Sequence, residues 1–172
     1  HSSLASEAQP YAKSDYSTFT AEIASTLAEA LLLDHMLETA ANDEERLYYL
    51  GQALENLRTT YFRQAQFAEF EVVFHTQVES GEPLTGASLS ASYLEILRRY
   101  HGHDEGVTRI DEAYAVEWAF IPHFYYNFYV YQYATSIAAS SLLAEAILAE
   151  QPGAVDRALT LLMDEARIAR AL

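Results

Sequence analysis

Glu22, Ser25 and Glu29 fall at i, i+3 and i+7, a spacing that places two carboxylates and a hydroxyl on one face of a helix. Phe19, Ile23, Ala30 and Leu37 mark a neighbouring apolar face. Carboxylates so placed have two readings, a solvated stripe or a metal-ligating carboxylate with a second-shell acid beyond it. A second candidate lies in the aromatic run from Glu117 to Thr135, where Tyr126, Tyr129, Val130 and Tyr133 follow i, i+3, i+4 and i+7. On a helix, their phenol groups would project along one face with His123 near its start. Phenol O–H and imidazole N–H groups are suitable donors to the oxyanion of a tetrahedral intermediate. The same stripe also suits a packed core, and a histidine beside Pro122 also suits a structural role. A third candidate, His101 and His103 with Asp104, is interleaved with glycines and reads as a solvent loop. His35 and His75 stand isolated and read as structural or surface residues. No His-Glu-x-x-His and no Glu-x-x-His motif occurs, so neither a complete zincin site nor a di-iron carboxylate bundle can be built from these residues alone.

Helical periodicity dominates the elements that must position these groups. Phe19 to about Ala40 is free of Gly and Pro and predicts one long helix. Asn42-Asp43 supplies a turn and an N-cap, after which a second long helix runs toward Glu79. Ser80-Gly81-Glu82-Pro83 and Thr85-Gly86 break the chain before a shorter helix from Ser88 to about Tyr100. Asp111 to Phe120 predicts one or two helical turns ending ahead of Pro122, because the residue before proline is pushed out of the α region. A further long helix is predicted from Phe124 to Ala149. Gln151-Pro152-Gly153 ends it, and Ala154 to Leu172 closes the chain as one or two helices. No repeat or linker divides the sequence, so the expectation is a single all-α domain over 1–172.

Composition narrows the function classes. The 172 residues include 51% hydrophobic and 20% charged types, enough apolar material for a sizeable core. Ten basic against twenty-five acidic residues give a formal charge of −15, which repels a phosphate backbone and offers no polybasic stripe for anionic lipid. Nucleic acid and membrane are therefore excluded as expected partners. The uncharged stretch from Trp118 to Ala144 is long enough to span a bilayer, but Pro122, His123, Asn127, Gln132 and five tyrosines between Tyr125 and Tyr133 would need partners in hydrocarbon. Without cysteine there is no thiolate zinc site, disulfide or cysteine nucleophile. The start, His1-Ser2-Ser3-Leu4, lacks the features of a signal peptide and reads as the interior of something longer.

Three blocks carry a resemblance. Tyr16-Ser17-Thr18-Phe19-Thr20-Ala21-Glu22-Ile23-Ala24-Ser25-Thr26-Leu27-Ala28-Glu29-Ala30-Leu31-Leu32 resembles the helix that follows the zinc motif in the oligoendopeptidase F family. Phe62-Arg63-Gln64-Ala65-Gln66-Phe67-Ala68-Glu69-Phe70-Glu71 and the run from Glu117 to Thr135 resemble two further blocks, in the family's order. The resemblance extends to about residue 162. These are zinc metallopeptidases related to thimet oligopeptidase and neurolysin, and the implied fold is the C-terminal half of a thermolysin-like (zincin) oligopeptidase catalytic domain, all-α and multi-helical.

By that resemblance Glu22 occupies the position of the glutamate zinc ligand, with Glu29 as a second-shell acid and Ser25 beside them. His123 matches a histidine near the substrate carbonyl, and Tyr133 matches a tyrosine that supports the oxyanion, with Tyr126 and Tyr131 as neighbours. The family's other ligands, two histidines of a His-Glu-x-x-His helix, have no counterpart in this chain, and His1 matches a later histidine. The family's Gly-Gly-Ser-rich loop before the closing helix is also missing at Leu161-Leu162-Met163. The implied activity is hydrolysis of short peptides by a zinc-bound, glutamate-activated water, in a cytoplasmic enzyme. The implied cofactor is zinc, with two histidine ligands supplied from elsewhere, and the implied partner is the upstream half of the same peptidase. The chain alone is expected to be inactive. The competing expectation is a non-enzymatic helical module or degenerate relative, whose uncovered apolar face would drive homo-oligomer formation.

Overall fold

The computed structural model describes residues 2–13 and 22–163, and every regular element among them is helical. In chain order these are α1 (Ser2–Ala8), α2 (Ile23–Thr39), α3 (Asp43–Leu57), α4 (Arg63–Glu79), α5 (Gly86–Tyr100), α6 (Tyr131–Leu148) and α7 (Ala154–Met163). Between them lie 3-10 turns at Tyr11–Lys13, Glu112–Phe120 and Pro122–Tyr126 and a π turn at Arg58–Phe62. The expected helix start at Phe19, the family-block residues before Glu22, His1 and the closing stretch beyond Met163 lie outside the described residues. No described helix is long and apolar enough to cross a membrane. The chain forms two compact units, one from His1–Thr60 with Gln132–Leu172, the other from Tyr61–Tyr131.

In the first unit, α2 and α3 form a hairpin whose turn is fixed by polar side chains. Asn42 accepts from the Glu45 N–H at 2.9 Å, while the Glu45 carboxylate reaches back to the Ala41 N–H at 2.8 Å. Each satisfies a donor that the start of a helix leaves free. Arg46 fastens the turn to the end of α2 by donating to the Leu37 carbonyl at 2.5 Å. The core joins Ile23 and Leu27 of α2 to Ala139, Leu143 and Ala144 of α6 and Ala158 and Leu161 of α7. The buried face of α6 is mostly small residues, including Ser136 and Ser140. The Ser140 hydroxyl donates to the Ile137 carbonyl at 3.1 Å, so its burial strands no donor.

The second unit is an aromatic core. Phe67 and Phe70 of α4 pack with Tyr93, Ile96 and Leu97 of α5, and with Ile110 and Val130. Phe124 sets its ring edge-on to Phe67, Phe70 and Phe74 at centroid distances of 5.7, 5.4 and 6.0 Å. Thr85 and Ser88 start α5 with a reciprocal capping pair, each accepting from the other's backbone N–H at 3.0 Å.

Two expectations need correction. The second helix reaches Glu79 only through the π turn at Arg58–Phe62. There the Thr59 hydroxyl donates to the Glu55 carbonyl at 2.9 Å and Thr60 donates to Asn56 Oδ1 at 2.8 Å, local bonds that compete with a regular ladder. The helix predicted from Phe124 to Ala149 does not form at its start. Asn127 and Phe128 have φ of 49° and 57°, left-handed values that an α-helix cannot contain, and α6 begins at Tyr131.

Candidate active site

Glu22 is the residue before α2, and its carbonyl accepts from the Thr26 N–H at 3.1 Å and the Thr26 hydroxyl at 2.7 Å. Its side chain makes no capping bond. The half-buried carboxylate is engaged by Ser25 instead, whose hydroxyl lies 3.0 Å from Glu22 Oε2 and 3.0 Å from the Glu22 carbonyl, with one proton to donate. The i, i+3 relation read from sequence is thus a contact. Glu29 is exposed one helical repeat further on, and its Oε2 accepts from Asn56 Nδ2 of α3 at 3.0 Å. Glu29 and Asn56 line a cleft of about 730 Å³ within the first unit, with Thr26, Tyr49 and Ser140 among its walls; Glu22 is not part of that lining. Tyr133 is half-buried in the first turn of α6.

In the second unit His123 is the second residue of the Pro122–Tyr126 turn, half-buried, with its ring stacked on Tyr129 at 5.8 Å and 21°. Tyr126 is 69% exposed, and its ring lies 6.1 Å from that of Tyr129. The shared helix face expected for Tyr126, Tyr129, Val130 and Tyr133 does not exist, because the left-handed pair Asn127 and Phe128 interrupts it and Val130 is fully buried in the core. Tyr131, at the first position of α6, is 40% exposed. Left-handed conformations cost non-glycine residues about 1–3 kcal/mol each and persist only where the surroundings impose them. Here a carboxylate does so: Glu71 of α4 is fully buried, and its Oε1 accepts from the Phe128 N–H at 2.6 Å. His103, part of the third candidate, is committed to the backbone, its Nδ1 accepting from the Ile110 N–H at 2.9 Å.

Sequence reasoning missed two acidic residues that organise this unit. Glu71 is one; its signal is a charge inside the apolar run Phe67-Ala68-Glu69-Phe70-Glu71-Val72-Val73-Phe74. Glu117 is the other. It pairs with Arg63, accepts from the Tyr93 hydroxyl at 2.6 Å, and so ties the Glu112–Phe120 turn to α4 and α5. Burial opposes its charge, but hydrogen bonds from Tyr93 and Arg63, with the Arg63 charge, outweigh burial and hold its carboxyl below the ordinary range. Burial, followed by donation to Glu117, pushes the Tyr93 phenol far above its ordinary value. Because the Glu117 carboxyl is depressed in the fold, its charge stabilises the protein fully above the ordinary value of 4.5, and this is lost as pH falls through its own lower value. Glu117→Gln is therefore expected to lose about 1–3 kcal/mol of stability at neutral pH, most of it from weakened charged hydrogen bonds. Melting curves of both proteins across pH check this, with the difference shrinking under acid.

Among the described residues no group of three His, Asp or Glu side chains could hold a metal ion. The donor set here does not fit a zinc ion by itself, since catalytic zinc takes three protein ligands. Glu22 is a half-buried carboxylate held by Ser25 through Oε2, which suits one ligand of a larger set.

Comparison with known proteins gives the family of the chain. Peptidase family M3 matches residues 1–161. Oligopeptidase PepF of Bacillus subtilis is 46% identical over 157 residues, which is 91% of this chain and 23% of that protein. Group B oligopeptidase PepB of Streptococcus agalactiae is 44% identical over 153 residues, 88% of this chain and 25% of that protein. The crystal structure of oligoendopeptidase-F from Enterococcus faecium superposes with a TM-score of 0.75 at 43% identity, covering 84% of this chain and 28% of that one. The chain spans about a quarter of the length of the curated relatives it matches. A family match over nearly all of the sequence, with the same helical fold in a solved relative, shows that the chain belongs to peptidase family M3.

Proposed function

We propose that this chain is part of a zinc-dependent oligoendopeptidase that hydrolyses short peptides, and that it carries one metal ligand and the oxyanion side of the active site. The observation that carries the reading is the Glu22 carboxylate, half-buried at the start of α2 and held by Ser25, in a chain whose relatives are oligopeptidases. The remaining ligands come from a part of the longer polypeptide outside these 172 residues. Glu22 supplies the carboxylate, Ser25 fixes its rotamer, and Glu29 stands behind as a second acid. His123 and Tyr133 donate hydrogen bonds to the developing oxyanion, with Tyr126 and Tyr131 as flanking phenols. The stack of His123 on Tyr129 fixes the imidazole plane, so less is lost in orienting it for the substrate.

The apolar stripe on α3 supports the incompleteness of the chain. Leu47, Leu50, Leu54 and Leu57 recur at helical spacing and are 71%, 45%, 69% and 40% exposed. Such a stripe is the expected contact face for the rest of the peptidase. The test compares purified 1–172 with the full-length polypeptide for zinc content and for cleavage of a quenched-fluorescent peptide. The expected result is stoichiometric zinc and cleavage in the full-length protein only. Stoichiometric zinc with cleavage by 1–172 alone overturns the proposal.

A further inference from the structure

Glu71 has so far been given only a part in the backbone of the second unit, yet the environment of its carboxyl is unusual. It is fully buried on α4, its Oε1 accepts from the Phe128 N–H at 2.6 Å, and its Oε2 has no hydrogen-bond partner among the described residues. Buried carboxylates with one orphan oxygen are rare because the uncompensated atom is costly. What Glu71 holds is equally unusual. Phe128 follows Asn127, and both have positive φ, a backbone state that two successive non-glycine residues do not adopt unaided. The Phe128 ring lies 4.4 Å from the ring of His75, one turn beyond Glu71 on the same helix. Val130 is anchored in the core two residues further on. The turn is therefore gripped at its N–H, at its ring and just after it.

The segment so gripped directly follows the turn that bears His123, one of the two proposed oxyanion donors. His123 precedes it in the Pro122–Tyr126 turn, and Tyr129 follows Phe128 directly and stacks on His123 at 5.8 Å. A shift at Phe128 moves Tyr129, and through the stack it moves the imidazole. We propose that Glu71 is a positioning residue for His123: its buried carboxyl clamps the Phe128 amide, maintains the left-handed Asn127–Phe128 turn, and thereby sets where the His123–Tyr129 ring pair meets the substrate. This rests on the peptidase reading above. Burial raises the Glu71 carboxyl, against the Phe128 N–H and His75, which lower it, so the site is costly to charge. An acceptor oxygen at that point is the requirement, and a negative charge is not.

The test uses the full-length peptidase and reads kcat and KM on a quenched-fluorescent peptide together with zinc content. Glu71→Ala removes the acceptor and is expected to lower kcat about 10–100-fold with zinc content unchanged, the scale of a small misplacement remote from the chemistry. Glu71→Gln keeps an acceptor oxygen for the Phe128 N–H and is expected to recover kcat to within about 3-fold of the parent, a small loss beside that scale. A folded, zinc-loaded Glu71→Ala protein with unchanged kcat, or a Gln variant as impaired as the Ala variant, overturns the clamp. Hydrogen exchange of the unmodified protein decides independently of any variant's folding: the amide of Phe128 is expected to be strongly protected, and exchange at the rate of an open loop overturns the clamp. If the unmodified protein cleaves no peptide, the peptidase reading fails while the exchange measurement still settles the clamp.

Discussion

Glu22→Ala in the full-length peptidase is expected to empty the metal site and abolish peptide cleavage while leaving the fold intact. A catalytic zinc site with three protein ligands that loses its carboxylate retains two, and affinity should fall by more than the roughly 10–100-fold that loss of a mere outer partner costs. The fold should stay intact for a local reason. The Glu22 side chain makes no capping bond to α2, and the Thr26 amide and hydroxyl are held by the Glu22 backbone carbonyl, which alanine retains. Metal analysis, a cleavage assay and a melting curve of the metal-free proteins check the three parts separately. Ser25→Ala removes only the hydrogen bond at 3.0 Å and should sit between the parent and Glu22→Ala.

The second large effect is expected at the oxyanion side. Tyr133→Phe deletes one hydroxyl and His123→Ala deletes one imidazole, and each should lower kcat about 10²–10³-fold, the range for loss of a single oxyanion donor. Zinc content should stay at the parent level, and KM should change little, because the interaction is made in the transition state. Tyr126→Phe should have the smaller effect, since that ring is 69% exposed. A Tyr126→Phe loss exceeding that of Tyr133→Phe would reassign the donor role.

Much of this was legible in the sequence where the signal is local. Asn42-Asp43 marks the turn between α2 and α3, and the Asn42 side chain makes the N-cap bond that its type and position imply. Glu22 and Ser25 were legible as a pair because three residues along a helix bring side chains together. The stretch Phe124-Tyr125-Tyr126-Asn127-Phe128-Tyr129 misled for the opposite reason. Its helical period is sound, but Glu71, 57 residues away, captures the Phe128 amide, and Val130 is drawn into the core. Tertiary contacts of that kind override local propensity. The link between Glu117 and Arg63, separated by 54 residues, is hidden in the same way, since no pattern within one segment encodes a partner in another. The roles of His123 and Tyr133 came from resemblance to a family, because aromatic spacing on its own fits a core equally well.

Crystals of the full-length peptidase measured at the zinc absorption edge test the central assignment most directly. The account predicts an anomalous peak about 2.0–2.2 Å from a Glu22 carboxylate oxygen, with imidazoles from outside these 172 residues completing the coordination. A zinc peak fully coordinated by other side chains, with the Glu22 carboxylate turned away from it, would contradict it.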